Sequence, residues 1–263
     1  MRSMVKPGSQ AEQVGRLVLA VVLILFLPSL PLGNYLIYPF TILTTWFHEM
    51  GHGLTALALG QEFQKLVIFA NGSGVASSLI ESDASPFTHA AIAAGGPLAP
   101  SFFGAILIAA SKKPGLWRPS LFGLAGLIGL SILIYVRSPV GLAVMPLVAA
   151  AIALIAWRAK DGLARFTLQF LGMLAAMSML RDFDYLFTER TVIGGRTMLS
   201  DTGAIEEALF LPHWFWAAAI LTVSVVMVGF SLKYALSEGP RSSWPLRGRS
   251  KPKNVLQFRH KRD

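Results

Sequence analysis

The chain has 263 residues, of which 54% are hydrophobic and 14% carry a charge. A typical soluble domain carries about 25% charged residues, so this composition excludes a disordered protein, a coiled coil and most soluble enzymes. It predicts an all-α, polytopic membrane protein with about six to seven transmembrane helices, in the inner or plasma membrane of the cell. The chain has no cysteine, so it has no disulfides and a metal site must use His, Asp, Glu or Asn.

The net charge of +9 is concentrated at the C-terminal end. Residues 237–263 hold eight basic and two acidic side chains, and they supply six of the nine net positive charges. We expect this segment to be a disordered tail against anionic lipid headgroups, following a membrane-embedded domain over residues 1–236. Contact of the tail with nucleic acid would be generic, so no specific nucleic-acid partner is predicted.

The first predicted helices lie on either side of a turn rich in proline and glycine. Residues 17–47 contain no charged side chain, and Pro28, Pro31 and Gly33 divide this stretch. The pattern predicts helices at about 15–30 and 35–59. Polar and β-branched residues then predict a β-hairpin at about 62–81, with its turn at Asn71-Gly72-Ser73-Gly74.

Five further hydrophobic stretches follow, at about 89–111, 119–136, 139–157, 163–187 and 213–236. The first of them contains Gly95-Gly96-Pro97 and Pro100, which favours a broken or re-entrant helix. The basic loops at 112–118 and 158–165 are expected to be cytoplasmic together with the tail. Counting back from these loops through seven spans places the N-terminus outside, although its basic residues favour the cytoplasmic side. We therefore expect one stretch, either 17–30 or 89–111, not to cross.

Residues 48–52 read His-Glu-Met-Gly-His. Residues four apart lie on one face of an α-helix, so His48 and His52 can bind one metal ion together, while Glu49 beside them can accept and return a proton. A single zinc ion suits this donor set, because zinc takes two imidazoles and a third ligand and keeps a position for water. Ionisable side chains are expensive in an apolar helix, so we predict a metal site with Glu49 as general base.

Zinc needs a third protein ligand, and three aspartates late in the chain are candidates. Asp182 and Asp184 lie near the end of the apolar helix predicted at about 163–187. They are two residues apart, so only one of them can point towards the motif helix. Asp201 follows Ser200 ahead of a helix, which is typical of an N-terminal cap. We therefore prefer Asp184 and keep Asp182 and Asp201 as alternatives.

These residues resemble the site-2 protease family of intramembrane zinc metalloproteases, peptidase family M50. The motif at 48–52 is followed by a hairpin-like segment, and 94–99 (Ala-Gly-Gly-Pro-Leu-Ala) resembles the small-residue stretch that opens the family's next helix. Ser200-Asp201 resembles the Ser-Asp-Ala element of the compact M50B-like branch. The resemblance covers about 35–230. The Leu-Asp-Gly and Asn-Pro motifs of better-known members do not occur in the sequence, which leaves the third ligand open.

The resemblance implies a zinc endopeptidase that hydrolyses peptide bonds within or near transmembrane segments of other membrane proteins. A strand such as 64–70 would hold an unwound substrate by edge pairing, with Asn71 and Gly72 as substrate-binding residues. One alternative is a non-catalytic, metal-stabilised scaffold or regulatory pseudoprotease. A weaker alternative is a transporter that uses His48, Glu49 and His52 as a proton relay.

Overall fold

The computed structural model describes residues 10–237, so the predicted basic tail lies, apart from Ser237, outside the described residues. Within this range the chain forms helices and two β-hairpins. Their bounds are α1 Gln10–Phe26, α2 Gly33–Ala58, β1 Glu62–Ile68, β2 Gly74–Leu79, α3 Pro86–Ala110, α4 Pro114–Ile134, α5 Pro139–Arg158, α6 Asp161–Arg181, α7 Phe183–Leu186, β3 Arg190–Ile193, β4 Arg196–Leu199, α8 Asp201–Leu209 and α9 His213–Leu236.

Six segments of the described chain are long and apolar enough to cross a membrane: Ala11–Ser29, α3, α4, α5, α6 and α9. The predicted class, an all-α polytopic membrane protein with a small β-hairpin after the motif helix, is thereby confirmed. Both stretches suspected of not crossing are among the six. The motif helix α2 is not one of them, although its 26 residues would extend about 39 Å.

Helix α3 is continuous, contrary to the expected break at its glycines and prolines. Pro97 and Pro100 both lie inside it, and the Ser85 hydroxyl caps its first turn by accepting a hydrogen bond from the Thr88 N–H at 3.2 Å. Proline is tolerated inside membrane helices, because neighbouring helices and local adjustments can satisfy the freed backbone groups. A continuous α3 can therefore contact several helices along its whole length.

Helix α3 is the centre of the bundle and packs against α2, α6, α8 and α9. Its crossing with α6 depends on two facing glycines. A Cβ atom added at Gly104 would lie 2.7 Å from the Gly172 carbonyl oxygen, and one added at Gly172 would lie 2.8 Å from Ile108 Cγ1. Small residues allow this close approach, which is how helices gain packing energy in a membrane.

The motif helix α2 is held in place by a buried apolar cluster and one hydrogen bond. Ile42, Leu43, Trp46 and Phe47 have no solvent exposure and pack in the main core. The Trp46 indole N–H donates to the Ser131 hydroxyl of α4 at 2.8 Å. A buried Trp needs such a partner for its N–H, so this contact fixes the rotation of α2 just before the motif.

The first hairpin lies between the motif helix and the loop that follows α4. β1 pairs with β2 in antiparallel fashion. On its other side, Leu66 of β1 accepts from the Arg137 N–H at 2.9 Å and donates to the Tyr135 carbonyl at 2.8 Å. Strand β1 therefore has partners on both edges. β2 is the outer strand, and within the described range no strand pairs with its second edge.

The α3–α6 crossing gives a stability prediction. We expect Gly104→Ala to lower the free energy of unfolding by about 1–3 kcal/mol, because the new methyl group overlaps backbone atoms of α6. Thermal unfolding of the detergent-solubilised protein measures this. Gly126→Ala on α4 is the matched control, since its added Cβ would meet nothing within 4 Å. Equal destabilisation by both changes would contradict the interpretation.

Candidate metal centre

The two histidines of the motif lie one turn apart on α2 and face the same cavity. Their ring centroids are 5.0 Å apart, with an angle of 70° between the ring planes. Their side chains are mostly buried, with 13% exposed for His48 and 14% for His52. The predicted helical spacing therefore brings both imidazoles to one point inside the protein.

Asp201 completes the group. Its Oδ2 lies 2.9 Å from His48 Nε2 and its Oδ1 lies 3.2 Å from His52 Nε2. Ligand atoms of these three residues all lie within 4.8 Å of one another, a spacing at which they can hold one metal ion. Although burial opposes ionisation, the neighbouring His52 and His48 hold the pKa of Asp201 well below its usual range. The aspartate is thus an anionic partner for the two imidazoles.

Asp201, one of the two alternatives, lies with the two histidines, whereas the preferred third ligand Asp184 does not. The apolar helix ends at Arg181, and the chain turns there into the short α7, which leaves the Asp184 side chain exposed. Asp182 lines a smaller cavity beside the motif but does not belong to the three-residue group.

The N-terminal cap of α8 is Ser200 rather than the expected Asp201. The Ser200 hydroxyl accepts a hydrogen bond from the Gly203 N–H at 3.0 Å. Asp201 is the first residue of the helix. Because the serine satisfies the helix end, the carboxylate of Asp201 is available to the histidines.

The hydrogen bonds around the site fit a metal ion between these residues. His52 Nδ1 lies 2.8 Å from the Ile92 carbonyl oxygen, which only accepts hydrogen bonds, so Nδ1 carries the proton. In the neutral ring, Nε2 then presents a lone pair to the Asp201 carboxylate. A proton or a metal ion between these two acceptors would satisfy both, and a backbone carbonyl behind a ligating histidine is a common support of a metal site. Asp201 Oδ2 is also buried without a well-aligned hydrogen bond.

Glu49 lies beside the three-residue group rather than in it. The residue is 6% exposed, and the backbone N–H of Ala76 on β2 interacts with its carboxylate. Glu49 lines both cavities at the site, together with His48. This position lets the carboxylate exchange a proton with a molecule in either cavity.

A cavity of about 870 Å³ opens onto the site, large enough for several residues of an extended peptide. Its walls are the motif on α2, strand β2, the start of α3, the second hairpin and α8. A smaller cavity, of about 270 Å³, is also lined by Glu49 and is rich in hydroxyl groups. The predicted substrate-binding residues Asn71 and Gly72 line this smaller cavity. Asn71 Oδ1 accepts from the Ser73 backbone N–H at 3.1 Å, and their role with substrate stays a prediction.

Three features of the site were not predicted from the sequence. Gly96 leaves the space that the His52 ring occupies, since a Cβ there would lie 2.1 Å from Nε2. The hairpin β3–β4 forms a wall of the large cavity. Tyr185 lies beside Asp201, whose backbone N–H donates to its hydroxyl at 3.2 Å. The Gly-Gly-Pro sequence was a signal for the first feature, whereas no sequence pattern indicated the other two.

Comparison with known proteins agrees with this geometry. The model of the Peptidase M50B-like family matches residues 16–231, and the chain belongs to that family. It is therefore an integral membrane protein of the site-2 protease type, as the motif indicated. No curated protein and no solved structure matches the chain.

The placement of the aspartates gives a direct prediction of metal content. We expect Asp201→Ala to lower bound zinc from about one ion per chain to near zero, because two imidazoles alone hold zinc weakly. Asp184→Ala and Asp182→Ala are the matched controls and keep the metal. Elemental analysis of the purified variants measures this. Zinc retained in Asp201→Ala and lost in Asp184→Ala would restore the preference drawn from the sequence.

The Gly96 contact gives a second prediction. Gly96→Ala is expected to weaken zinc binding about 10- to 100-fold, because its methyl group displaces the His52 ring from its position. Competition with a chelator measures the affinity. Gly123→Ala on α4, where a Cβ meets nothing within 4 Å, serves as the control. An unchanged affinity in Gly96→Ala would show that the ring can bind zinc from another position.

Proposed function

We propose that the chain is a zinc-dependent endopeptidase that cleaves membrane proteins within or near their transmembrane segments. The observation that carries this proposal is the position of Glu49. Its carboxylate lines the large cavity together with His48, His52 and Asp201, but it is not one of the three residues that can hold the metal. A carboxylate that lies next to the ligand residues without belonging to them can act as the general base of metal-assisted hydrolysis.

The residues have distinct roles in this proposal. His48, His52 and Asp201 would hold zinc, which when bound would act as a Lewis acid and make water a nucleophile at neutral pH. Glu49 takes a proton from water as the water oxygen attacks the scissile carbonyl carbon. Glu49 then gives that proton to the nitrogen of the leaving amine as the C–N bond breaks.

The substrate is expected to bind in an extended form along β2. A helix hides its carbonyl groups in its own hydrogen bonds, so a transmembrane segment has to unwind before cleavage. The strand expected to receive it, at about 64–70, corresponds to β1, which already has partners on both edges. β2 is the strand with an available edge, and Gly74, Ala76 and Ser78 of β2 line the large cavity. Edge pairing with β2 would place the substrate backbone beside Glu49.

The remaining expectations about partners and location belong to the same proposal. The substrate is a transmembrane protein, and the membrane is the inner or plasma membrane of the cell. The basic segment after residue 237 would contact anionic headgroups, with about 1 kcal/mol from each basic side chain near the surface. The non-catalytic alternative, a metal-stabilised scaffold or pseudoprotease, shares the ligand set and differs in lacking turnover.

The test uses Glu49→Gln, with Glu62→Gln on the exposed face of β1 as the matched control. We expect Glu49→Gln to lower cleavage about 10²- to 10⁴-fold while zinc content and thermal unfolding stay unchanged, because only the proton acceptor is lost. Labelling of new N-termini in membranes of cells producing each variant measures cleavage of substrates whose identity need not be specified. New termini inside transmembrane segments should appear with wild type and Glu62→Gln only. The same termini with Glu49→Gln, or none with any variant, would contradict the proposal and favour the scaffold.

A further inference from the structure

Tyr185 lies between the two cavities of the site. It belongs to α7, the short helix after Arg181, and its side chain lines both cavities together with His48 and Glu49. Its ring meets the His48 ring edge-on, with centroids 6.2 Å apart. No other tyrosine lines either cavity in the part of the chain that the structure describes.

The position of Tyr185 is fixed by hydrogen bonds between its segment and the start of α8. The Asp201 N–H donates to the Tyr185 hydroxyl oxygen at 3.2 Å. The Thr202 hydroxyl donates to the Leu186 carbonyl at 2.7 Å, and the Ser200 N–H donates to the Glu189 carbonyl at 2.9 Å. These contacts attach the phenol to the element that carries the third ligand and hold it beside the ligand group.

The phenol makes its hydrogen bonds with Asp201. The hydroxyl oxygen accepts from the Asp201 N–H at 3.2 Å, and the O–H faces the Asp201 carboxylate. A substrate carbonyl oxygen in the cavity would accept the hydrogen bond of this O–H in place of that carboxylate. A phenol is neutral at physiological pH and carries one proton. A neutral, positioned donor is what stabilises negative charge that develops on a carbonyl oxygen during the reaction. Glu49 cannot do this, because it acts as the proton acceptor.

We propose that Tyr185 is a further catalytic residue, whose hydroxyl donates a hydrogen bond to the oxyanion of the tetrahedral intermediate; this assignment rests on the proposed peptidase function. As water attacks, a C–O bond forms, the π electrons of the scissile carbonyl move to its oxygen, and Glu49 takes the water proton. Tyr185 donates a hydrogen bond to that oxygen and keeps its proton. When the carbonyl re-forms, the C–N bond breaks and Glu49 protonates the amine nitrogen.

The test is Tyr185→Phe, which removes the donor and keeps the ring. The substrate is a peptide that spans a cleavage site identified by the N-terminal labelling described above. We expect kcat to fall about 10²- to 10³-fold, as for other single oxyanion donors, with KM, zinc content and thermal unfolding unchanged. Tyr135→Phe is the matched control, because that ring stacks on Phe63 at 4.1 Å and lines neither cavity.

A binding measurement separates oxyanion stabilisation from a role in positioning Asp201. A phosphinic analogue of the same peptide mimics the tetrahedral intermediate, so its affinity should fall in parallel with kcat in Tyr185→Phe. Loss of zinc in this variant would overturn the assignment, since Tyr185 would then act through Asp201. Wild-type kcat in Tyr185→Phe while Glu49→Gln is inactive would overturn it and leave the peptidase function standing. Absence of zinc-dependent cleavage by wild type would overturn both.

Discussion

The structure around the site depends on one electrostatic contact: a buried carboxylate from α8 that faces two imidazoles from α2. Burying an ionised group among apolar helices is costly unless opposite charge compensates it at close range. The Asp201 carboxylate meets this condition through both histidines. Its oxygens lie 2.9 Å from His48 Nε2 and 3.2 Å from His52 Nε2. The contact therefore links the first and last thirds of the chain, and a cation between the three residues would strengthen that link.

The close packing of helix α3 against α2 and α8 supports this contact. Gly51 on α2 faces Gly95 on α3. A Cβ atom added at Gly51 would lie 2.3 Å from the Gly95 carbonyl oxygen. The same helix α3 provides the Ile92 carbonyl that orients His52. Helix α3 then packs against α8, which carries Asp201. The central helix α3 thus contacts both elements that carry the three-residue group and orients His52.

Much of this arrangement was predictable from local patterns, and the parts that were not have a common physical cause. Helical spacing makes His48 and His52 share a face whatever surrounds them, and turn residues mark the hairpin. The choice between Asp184 and Asp201 depends on where α6 ends and how α8 packs, which are tertiary properties. Ser200 caps α8 and the adjacent Asp201 faces the histidines. Residue preferences at helix caps do not show which of two neighbouring residues forms the cap. Tyr185 is placed by hydrogen bonds to α8, so no pattern around it indicates its neighbours.

The order of the site residues along the chain has a consequence for biosynthesis. The two histidines are made early, on the second helix, whereas Asp201 is made only after five further long or short helices have been translated. The three-residue group therefore cannot form before translation has reached α8. A nascent or truncated chain that ends before α8 would contain the motif but lack the third side chain of the group. The distance in sequence thus delays assembly of the candidate metal centre until α8 has been synthesised.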